Sequence, residues 1–358
     1  MIQLPDPRIQ QMAETLVDHS VGVKKGDEVI IRSTSLARPL LEEIYRLIVR
    51  RGGHPHLLLG NDFTRIFFEE ADDEQLESVP DITRYILERA DANIYIDAPV
   101  NRREMTGIDP VKLQKRNKVM MPLNERFMKG EARWVVSLFP TPALAQDADL
   151  PLSAYEDFVY EAVNIDWNAL KKTMEAATAR FDEAKEVRIL SEGTDITLSI
   201  EGRKGVIDGG ENNMPGGEFF YAPLEQKTEG IITYEWPAVI AGQEVSGIRL
   251  TFQEGKVVEA RADKGEDYLR KALDTDEGAR YLGELGIGCN FGIQQHTKNI
   301  LFDEKIGGSV HLALGRAYEE CGGTNQSAIH WDMVKDLRKG GEIHLDGKPV
   351  QKNGQWLF

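Results

Sequence analysis

The order of hydrophobic segments constrains the fold of this chain more than any other feature of its sequence. Short β-branched segments alternate with longer segments whose apolar residues recur at helical spacing. The predicted elements are strands at residues 28–32, 56–59, 92–96 and 134–138, and helices at residues 40–51, 110–129, 153–163 and 168–183. Such alternation is typical of a parallel sheet whose strands are joined by helices. We therefore predict an α/β N-terminal domain with a parallel sheet.

The pattern changes near residue 186, where long helical segments become rare and strand-like segments separated by glycine turns dominate. The predicted strands are residues 187–190, 195–200, 230–234, 248–252, 257–262 and 309–314. Residues 266–285 are an exception and predict helices interrupted at Thr275-Asp276. A chain of 358 residues exceeds the size at which one core usually keeps growing. We predict two domains, the α/β domain at residues 1–185 and a mainly β (α+β) domain at residues 186–358.

The charge balance and the hydropathy limit the partners that this chain is expected to have. Its 43 Lys and Arg against 59 Asp and Glu give a formal net charge of −16, which repels a phosphate backbone. No window approaches the ~18 apolar residues of a membrane span, and the N-terminal segment lacks the pattern of a signal peptide. Cys289 and Cys321 have no CxxC spacing, so neither a disulfide framework nor a thiolate zinc site is expected. We expect a cytoplasmic protein without nucleic-acid or membrane partners.

The common enzyme motifs are absent from the sequence. It contains no GxxxxGK[ST] phosphate loop, no HExxH and no GxSxG. Residues 286–292 superficially resemble a dinucleotide loop, but they follow a helical pattern, whereas that motif requires a preceding strand. Three of the seven histidines, His296, His311 and His330, lie close together in the C-terminal half. The candidate catalytic or metal-binding residues are therefore histidines and carboxylates of that half.

The segment around His330 and Asp332 offers the clearest candidate site. In an extended chain, residues two apart point to the same side, so these two side chains share one face of a predicted strand. Ile329, Trp331 and Met333 occupy the other face and supply an apolar side that packs on a core. An imidazole beside a carboxylate suits a borderline metal such as Zn²⁺ or Co²⁺.

His311 has a comparable position in the predicted strand at residues 309–314. Val310, Leu312 and Leu314 point to one face, and His311 points to the other with only Ser309 and Ala313 beside it. Small neighbours leave room for a metal or a substrate. A histidine that is hydrogen-bonded within the core satisfies the same pattern, so spacing leaves both interpretations open.

Glu218 and Glu284 are two further candidates, because both have apolar or glycine neighbours. Glu218 lies between Gly216-Gly217 and a Phe-Phe-Tyr segment, and Glu284 ends an apolar stretch before Gly286. A carboxylate in apolar surroundings is costly unless a cation meets it, and a metal ion is one such cation. A salt bridge or exposure to solvent is the alternative that spacing leaves open.

At these residues the chain closely resembles the thermophilic-type aminopeptidase family of metallopeptidases. The resemblance spans most of the chain, and its most specific segments are MPGGEF at 214–219 with Ala222-Pro223, TDEGAR at 275–280 with LGE at 282–284, HLALGRAY at 311–318, and IHWD at 329–332. The resemblance implies an N-terminal α/β domain, a C-terminal catalytic domain and a homodimer. It also implies a metal-dependent aminopeptidase that removes N-terminal amino acids from short peptides.

The same resemblance assigns roles to residues of this chain. It implies two divalent ions, Zn, Co or Mn, with Glu218, Glu284, His311, His330 and Asp332 as ligands. Tyr318 is the implied assisting group, and Glu218 and Glu284 are counted with it among the catalytic residues. Two ions sharing five ligands favour at least one bridging carboxylate, expected to be Glu218 or Asp332. Two such ions lower the pKa of a water and polarise the scissile carbonyl.

Two other functions are compatible with the same residues. One is a metal-binding or small-ligand-binding protein without catalysis, whose ligand lies at the edge of the N-terminal sheet. The other is a hydrolase that uses Glu218 and Glu284 as an acid and base pair without metal. The second alternative leaves His311, His330 and Asp332 without a role.

Overall fold

The computed structural model describes residues 6–60, 63–240 and 242–358, apart from the side chain of Met128. Contacts between residues separate the described chain into two units. The first unit contains the residues up to Asn164 together with Gly210–Pro215, and the second contains Ile165–Gly209 and Gly216–Phe358. Within the described ranges, no helix is both long enough and apolar enough to cross a bilayer.

The first unit contains a four-stranded parallel sheet with the order β2-β1-β3-β4. Its strands are β1 (Glu28–Ser33), β2 (His54–Leu59), β3 (Ala92–Asp97) and β4 (Arg133–Leu138). Its helices are α1 (Pro7–Glu14, continued by a π-helix at Thr15–Ser20), α2 (Arg38–Arg50), α3 (Thr64–Glu70), α4 (Asp73–Leu76), α5 (Asp81–Arg89), α6 (Pro110–Met128), α7 (Pro142–Asp147) and α8 (Leu152–Val163). The predicted parallel α/β sheet is confirmed.

Helix α2 shows why the sequence pattern predicts this unit well. Leu40, Ile44 and Leu47 recur at helical spacing and are buried on one side of the helix. The helix ends before Gly52, which has a φ of +81° that most residues avoid. The buried apolar stripe and the glycine that ends the helix both depend on neighbouring residues only, so the sequence predicts them directly.

The second unit is built mainly from antiparallel strands. Its strands are β5 (Glu186–Ser191), β6 (Thr194–Ser199), β7 (Val206–Asp208), β8 (Glu218–Tyr221), β9 (Thr228–Thr233), β10 (Ala238–Ile240), β11 (Gln243–Val245), β12 (Arg249–Gln253), β13 (Lys256–Arg261), β14 (Leu282–Gly288), β15 (Ser309–Gly315), β16 (His330–Asp336), β17 (Glu342–Leu345), β18 (Lys348–Lys352) and β19 (Gln355–Trp356). Its α-helices are α9 (Trp167–Phe181), α10 (Glu266–Leu273) and α11 (Ile300–Asp303).

Two sheets of this unit share one hydrophobic core. An eight-stranded sheet has the order β13-β12-β9-β6-β5-β17-β18-β19, and a five-stranded sheet has the order β16-β15-β14-β8-β7. The core cluster joins residues of the larger sheet, such as Ile189 and Leu198, to residues of the smaller one, such as Leu285, Leu312 and Met333. One face of the five-stranded sheet therefore packs against the core, and its other face can carry polar side chains.

The second unit begins at Ile165, before the boundary expected after residue 185. Helix α9 belongs to this unit because Met174, Ala177 and Phe181 lie in its hydrophobic core. A helical pattern reports that a helix forms, but it does not report which sheet the helix covers. A division into separately folding domains at residues 1–185 and 186–358 stays a prediction.

The helix predicted to run on to residue 285 is wrong for its last part. Residues 266–273 form α10, but Leu282–Gly288 form strand β14, which lies between β15 and β8. All seven residues of β14 are buried, so the strand shows no polar alternation that would separate it from a buried helix. Glu284 therefore lies on a central strand of the sheet.

Candidate metal centre

The side chains predicted to be metal ligands lie on one face of the five-stranded sheet: Glu218, Glu284, His311, His330 and Asp332. Glu284 of β14 pairs with Ala313 of β15, and Ala313 pairs with Asp332 of β16. Paired residues, like residues two apart on one strand, point to the same side. His311 and His330 therefore join Glu284 and Asp332, and Glu218 joins them because it pairs with Gly288. Four neighbouring strands, β8, β14, β15 and β16, and their register bring the predicted set together.

Glu284 lies between the two histidines and presents one carboxylate oxygen to each. Its Oε1 lies 3.1 Å from Nε2 of His311, and its Oε2 lies 3.4 Å from Nε2 of His330. The Glu284 side chain is buried, with an exposed fraction of 5%. The carboxylate thus divides the cluster into a His311 side and a His330 side.

Each side of Glu284 carries a further carboxylate. Glu218 Oε2 lies 3.4 Å from Nε2 of His311, and Asp332 Oδ2 lies 3.4 Å from Nε2 of His330. Two donor sets result, Glu218–Glu284–His311 and Glu284–His330–Asp332, each with ligand atoms within 4.8 Å of one another. A third set of the same compactness joins Glu304 to His311 and Asp332. The first two sets share Glu284.

Backbone carbonyls orient both imidazoles. Nδ1 of His311 donates a hydrogen bond to the carbonyl oxygen of Glu304 at 3.1 Å, and Nδ1 of His330 donates to that of Arg316 at 2.8 Å. A carbonyl oxygen only accepts, so the proton of each neutral ring lies on Nδ1. Nε2 then carries the lone pair and faces the carboxylates, which is the orientation that a metal ligand requires.

Glu218 has two oxygens in different environments. Oε1 accepts a hydrogen bond from Nζ of Lys305 at 3.0 Å. Oε2 is buried and accepts no hydrogen bond from any part of the chain that the structure describes. A buried carboxylate oxygen without a donor is costly, and a cation beside it removes that cost. The free oxygen lies on the side of His311, where the first donor set is formed.

Burial and mutual contacts shift the pKa values of the groups in this cluster. Burial opposes the charged form of Glu284, but hydrogen bonds from His311 and His330 outweigh it and lower the pKa of this carboxyl. Burial also disfavours imidazolium at His311, yet the carboxylates of Glu218 and Glu284 raise its pKa to about 10. At His330, Asp332 and Glu284 raise the pKa to about 11 against the effect of burial. The cluster attracts positive charge, and a divalent ion takes the place of these protons.

The chemistry of the donors fits a divalent transition metal. Two imidazole nitrogens with carboxylate oxygens are ligands that Zn²⁺, Co²⁺ and related ions accept. Both histidines also have the second hydrogen bond that orients metal-binding imidazoles. The residues on this face are therefore suited to hold metal ions.

Comparison with known proteins identifies the family of this chain. Residues 5–356 match the family described as thermophilic metalloprotease, M29. The chain belongs to the M29 family. Aminopeptidase AmpS of Bacillus subtilis (strain 168) is 26% identical over 98% of each chain. The resemblance stated from the sequence is confirmed.

Two solved structures share the fold. Wild-type AmpT from Thermus thermophilus has a TM-score of 0.84 at 24% identity, covering 98% of this chain and 99% of that chain. A 2,5-dihydroxypyridine dioxygenase from Pseudomonas putida KT2440 has a TM-score of 0.64 at 15% identity, covering 99% and 98%. At these identities the two structures show the fold alone.

Tyr318 lies beside the M29 centre. Its ring is centred 5.2 Å from the ring of His330 and 5.5 Å from that of Phe220, and 41% of the residue is exposed. Desolvation beside the cluster and the negative charges of Glu284 and Asp332 raise the pKa of Tyr318 above its ordinary value. The phenol therefore keeps its proton at neutral pH and can donate a hydrogen bond.

Sequence reasoning missed the contribution of residues 304 and 305. The carbonyl of Glu304 orients His311, and the ammonium of Lys305 contacts Glu218. In the sequence they form part of the charged segment Asp303-Glu304-Lys305, which resembles an exposed turn. Only the flanking Phe302 and Ile306, both fully buried, hint that the segment lies inside the protein.

Sequence reasoning also missed the role of Gly286, which leaves space for the ring of His311. We predict that Gly286→Ala disrupts metal binding on the His311 side of the centre. Gly286 pairs with His311, and a Cβ on residue 286 would lie 1.9 Å from Cε1 of that imidazole. A contact this short is impossible, so the imidazole would have to move and would lose its hydrogen bonds to Glu304 and Glu284. We expect metal affinity at this side to fall about 100-fold or more, as measured by calorimetric titration with Co²⁺.

Gly60→Ala is the control for this substitution, because a Cβ on residue 60 meets no atom of the described residues within 4 Å. It should leave metal binding unchanged. Wild-type affinity for both ions in Gly286→Ala would show that the His311 ring does not need the space over Gly286.

Proposed function

We propose that this M29 protein is an aminopeptidase that uses two divalent ions. One ion is held by Glu218, Glu284 and His311, and the other by Glu284, His330 and Asp332. The observation that carries the proposal is the two-sided contact of Glu284, whose oxygens face different histidines at 3.1 and 3.4 Å. We assign the bridging role to Glu284 instead of Glu218 or Asp332, because it alone belongs to both of these donor sets.

The class of enzyme predicted from the sequence, a metallo-aminopeptidase acting on peptide bonds, is confirmed by the family and by the name of the AmpS relative. Membership of a metalloprotease family also supports divalent metal ions as cofactors. The number of ions, their identity as Zn, Co or Mn, and the assignment of each ligand belong to the present proposal. The homodimer and the cytoplasmic location stay predictions.

The residues of the centre divide the work of hydrolysis among them. When bound, the ions supply Lewis acidity that polarises the scissile carbonyl and lowers the pKa of a water. Glu218, Asp332 and the carbonyl-oriented histidines hold the geometry. Tyr318 donates a hydrogen bond to the carbonyl oxygen as negative charge develops on it. Acidic groups outside the five ligands, such as Glu304 beside His311 and Asp332, favour the ammonium of a free N-terminus.

Removal of metal tests this proposal. We expect treatment with EDTA to lower the hydrolysis of aminoacyl p-nitroanilides at least about 100-fold, and Co²⁺, Zn²⁺ or Mn²⁺ to restore it. Elemental analysis of the restored protein should give two ions per chain. The N-acetylated form of the same substrate is the control, and its cleavage should be negligible because it lacks the ammonium group.

Three other results would contradict the proposal in distinguishable ways. A fully metallated protein that cleaves nothing across a broad panel of peptides would be a metal-binding protein without catalysis. Activity that survives complete removal of metal would favour Glu218 and Glu284 as an acid and base pair. Equal cleavage of the acetylated substrate would show that the enzyme does not require a free N-terminal amine and is therefore not an aminopeptidase.

A further inference from the structure

Lys305 is a fully buried cation beside the proposed metal centre. Its side chain has an exposed fraction of 0%, and it follows the short helix α11. Its Nζ donates to Glu218 Oε1 at 3.0 Å, contacts a carboxylate oxygen of Glu304 and lies 3.8 Å from Oδ2 of Asp208. A buried ammonium is costly unless carboxylates compensate it, so such an arrangement needs a reason beyond stability.

The backbone around Lys305 makes the position of its ammonium well defined. The N–H of Lys305 donates to the carbonyl of Phe302 at 3.0 Å, and the carbonyl of Lys305 accepts from the N–H of Asn290 at 2.9 Å. The preceding residue, Glu304, holds His311 through its own carbonyl. Two adjacent residues thus contact Glu218 and His311, which belong to the same donor set.

We propose that Lys305 is a positioning residue that turns Glu218 towards the ion on the His311 side. The ammonium donates a hydrogen bond to Oε1 of Glu218, so Oε2 is the oxygen that faces His311. Glu218 then binds one ion through one oxygen and cannot bridge two. The positive charge also offsets the repulsion among Glu218, Glu304 and Asp208, which meet around Nζ. This inference rests on the proposed two-ion site and assigns a role that the five ligands do not cover.

The proposal makes the two ions unequal in their dependence on Lys305. Removal of its charge acts on the ion of Glu218 and His311, whereas His330 and Asp332 have no contact with Lys305 among the described hydrogen bonds and ion pairs. Loss of a residue that orients a ligand typically lowers metal affinity about 10- to 100-fold. A general loss of structure would weaken both ions together.

Calorimetric titration of the metal-free protein with Co²⁺ tests this. For Lys305→Met we expect one binding step to weaken about 10- to 100-fold and the other to stay within about threefold of wild type. Lys305→Arg, which keeps the charge, should recover most of the lost affinity. Lys335→Met is the matched control, because Lys335 is equally buried on strand β16 but contacts Glu235 and no predicted ligand.

A second titration establishes whether Lys305 acts through Glu218. In protein that already carries Glu218→Ala, adding Lys305→Met should change the affinity less than about threefold, because the carboxylate that Lys305 contacts is already absent. Should Lys305→Met fail to fold, Lys305→Met with Asp208→Asn removes one charge of each sign from the same cluster and should show the same selective loss.

Unchanged affinities for both ions in the Lys305 variants, or equal weakening of both, would overturn the role of Lys305. In either case the wild-type protein would still bind two ions and cleave its substrates. Failure of the proposed function appears instead in the wild-type titration, as fewer than two ions or as binding without cleavage.

Discussion

Glu284→Gln is expected to cost this protein both ions and nearly all of its peptidase activity. Each oxygen of Glu284 faces a different histidine, so the carboxylate is a ligand on both sides of the centre. Glutamine has nearly the same size but no negative charge. Its amide nitrogen has no lone pair to offer a metal ion, so it can serve as a ligand on one side at most. We expect kcat/KM to fall more than about 10³-fold, since both sources of Lewis acidity are weakened together. Elemental analysis and p-nitroanilide hydrolysis measure the two effects.

Asp336→Asn is the matched control for Glu284→Gln. Asp336 lies on the same strand as Asp332 and points to the same face, but it pairs with Arg338 at 2.9 Å and belongs to none of the donor sets. Metal content and activity should stay close to wild type in this variant. Should Glu284→Gln keep two ions at wild-type affinity, the bridging role would pass to another carboxylate.

Tyr318→Phe is expected to separate catalysis from metal binding. The ring packs at a tilt against the rings of His330 and Phe220, and phenylalanine keeps these contacts while it loses the hydroxyl. Removal of one hydrogen-bond donor to a developing oxyanion typically lowers kcat about 10²- to 10³-fold. We expect such a loss in kcat, with little change in KM and with the full metal content. Steady-state kinetics on a protein of known metal content measure the difference.

Tyr268→Phe provides the control for this second substitution, because Tyr268 packs edge-on against Trp331, whose side chain points to the core. It should leave kcat unchanged. A Tyr318→Phe variant that retains more than about half of the wild-type kcat would leave Tyr318 with a packing role only.

The pKa of Tyr318 adds a condition to this prediction. Desolvation and the neighbouring carboxylates raise the pKa above that of a free phenol, so the hydroxyl stays protonated throughout the neutral range. Burial is the largest cause of this shift and does not depend on bound ions, so the donor is expected to be present at neutral pH. The activity lost in Tyr318→Phe should be the same at pH 6 and at pH 9.

Much of the fold was predictable because its signals are local. Strands β1, β3 and β4 appear as segments that contain β-branched residues, and α2 appears as a buried apolar stripe that ends before Gly52. Strand β14 was not predictable, because a strand buried on both faces lacks alternation and reads like part of a helix. The error there also hid the position of Glu284 between its two histidines.

For the site, alternation along β15 and β16 placed His311, His330 and Asp332 on faces suited to ligands, and the family resemblance supplied Glu218, Glu284 and Tyr318. The sequence does not predict which carboxylate is shared by the two donor sets. The hydrogen bond between Glu284 and His311 joins residues 27 positions apart, and that between Lys305 and Glu218 joins residues 87 apart. Such contacts depend on the register of neighbouring strands and on the path of a loop.

The sequence by itself determined the alternation along strands β15 and β16, the family, and the types of residue available for metal chemistry, since all three are present in local sequence patterns. The tertiary structure decided that Glu284 faces both histidines, that Gly286 leaves room for the ring of His311, and that Lys305 holds one oxygen of Glu218. The physical reason is that a strand's side-chain alternation is set by its own backbone. The partner that each side chain meets is set by pairing between distant segments.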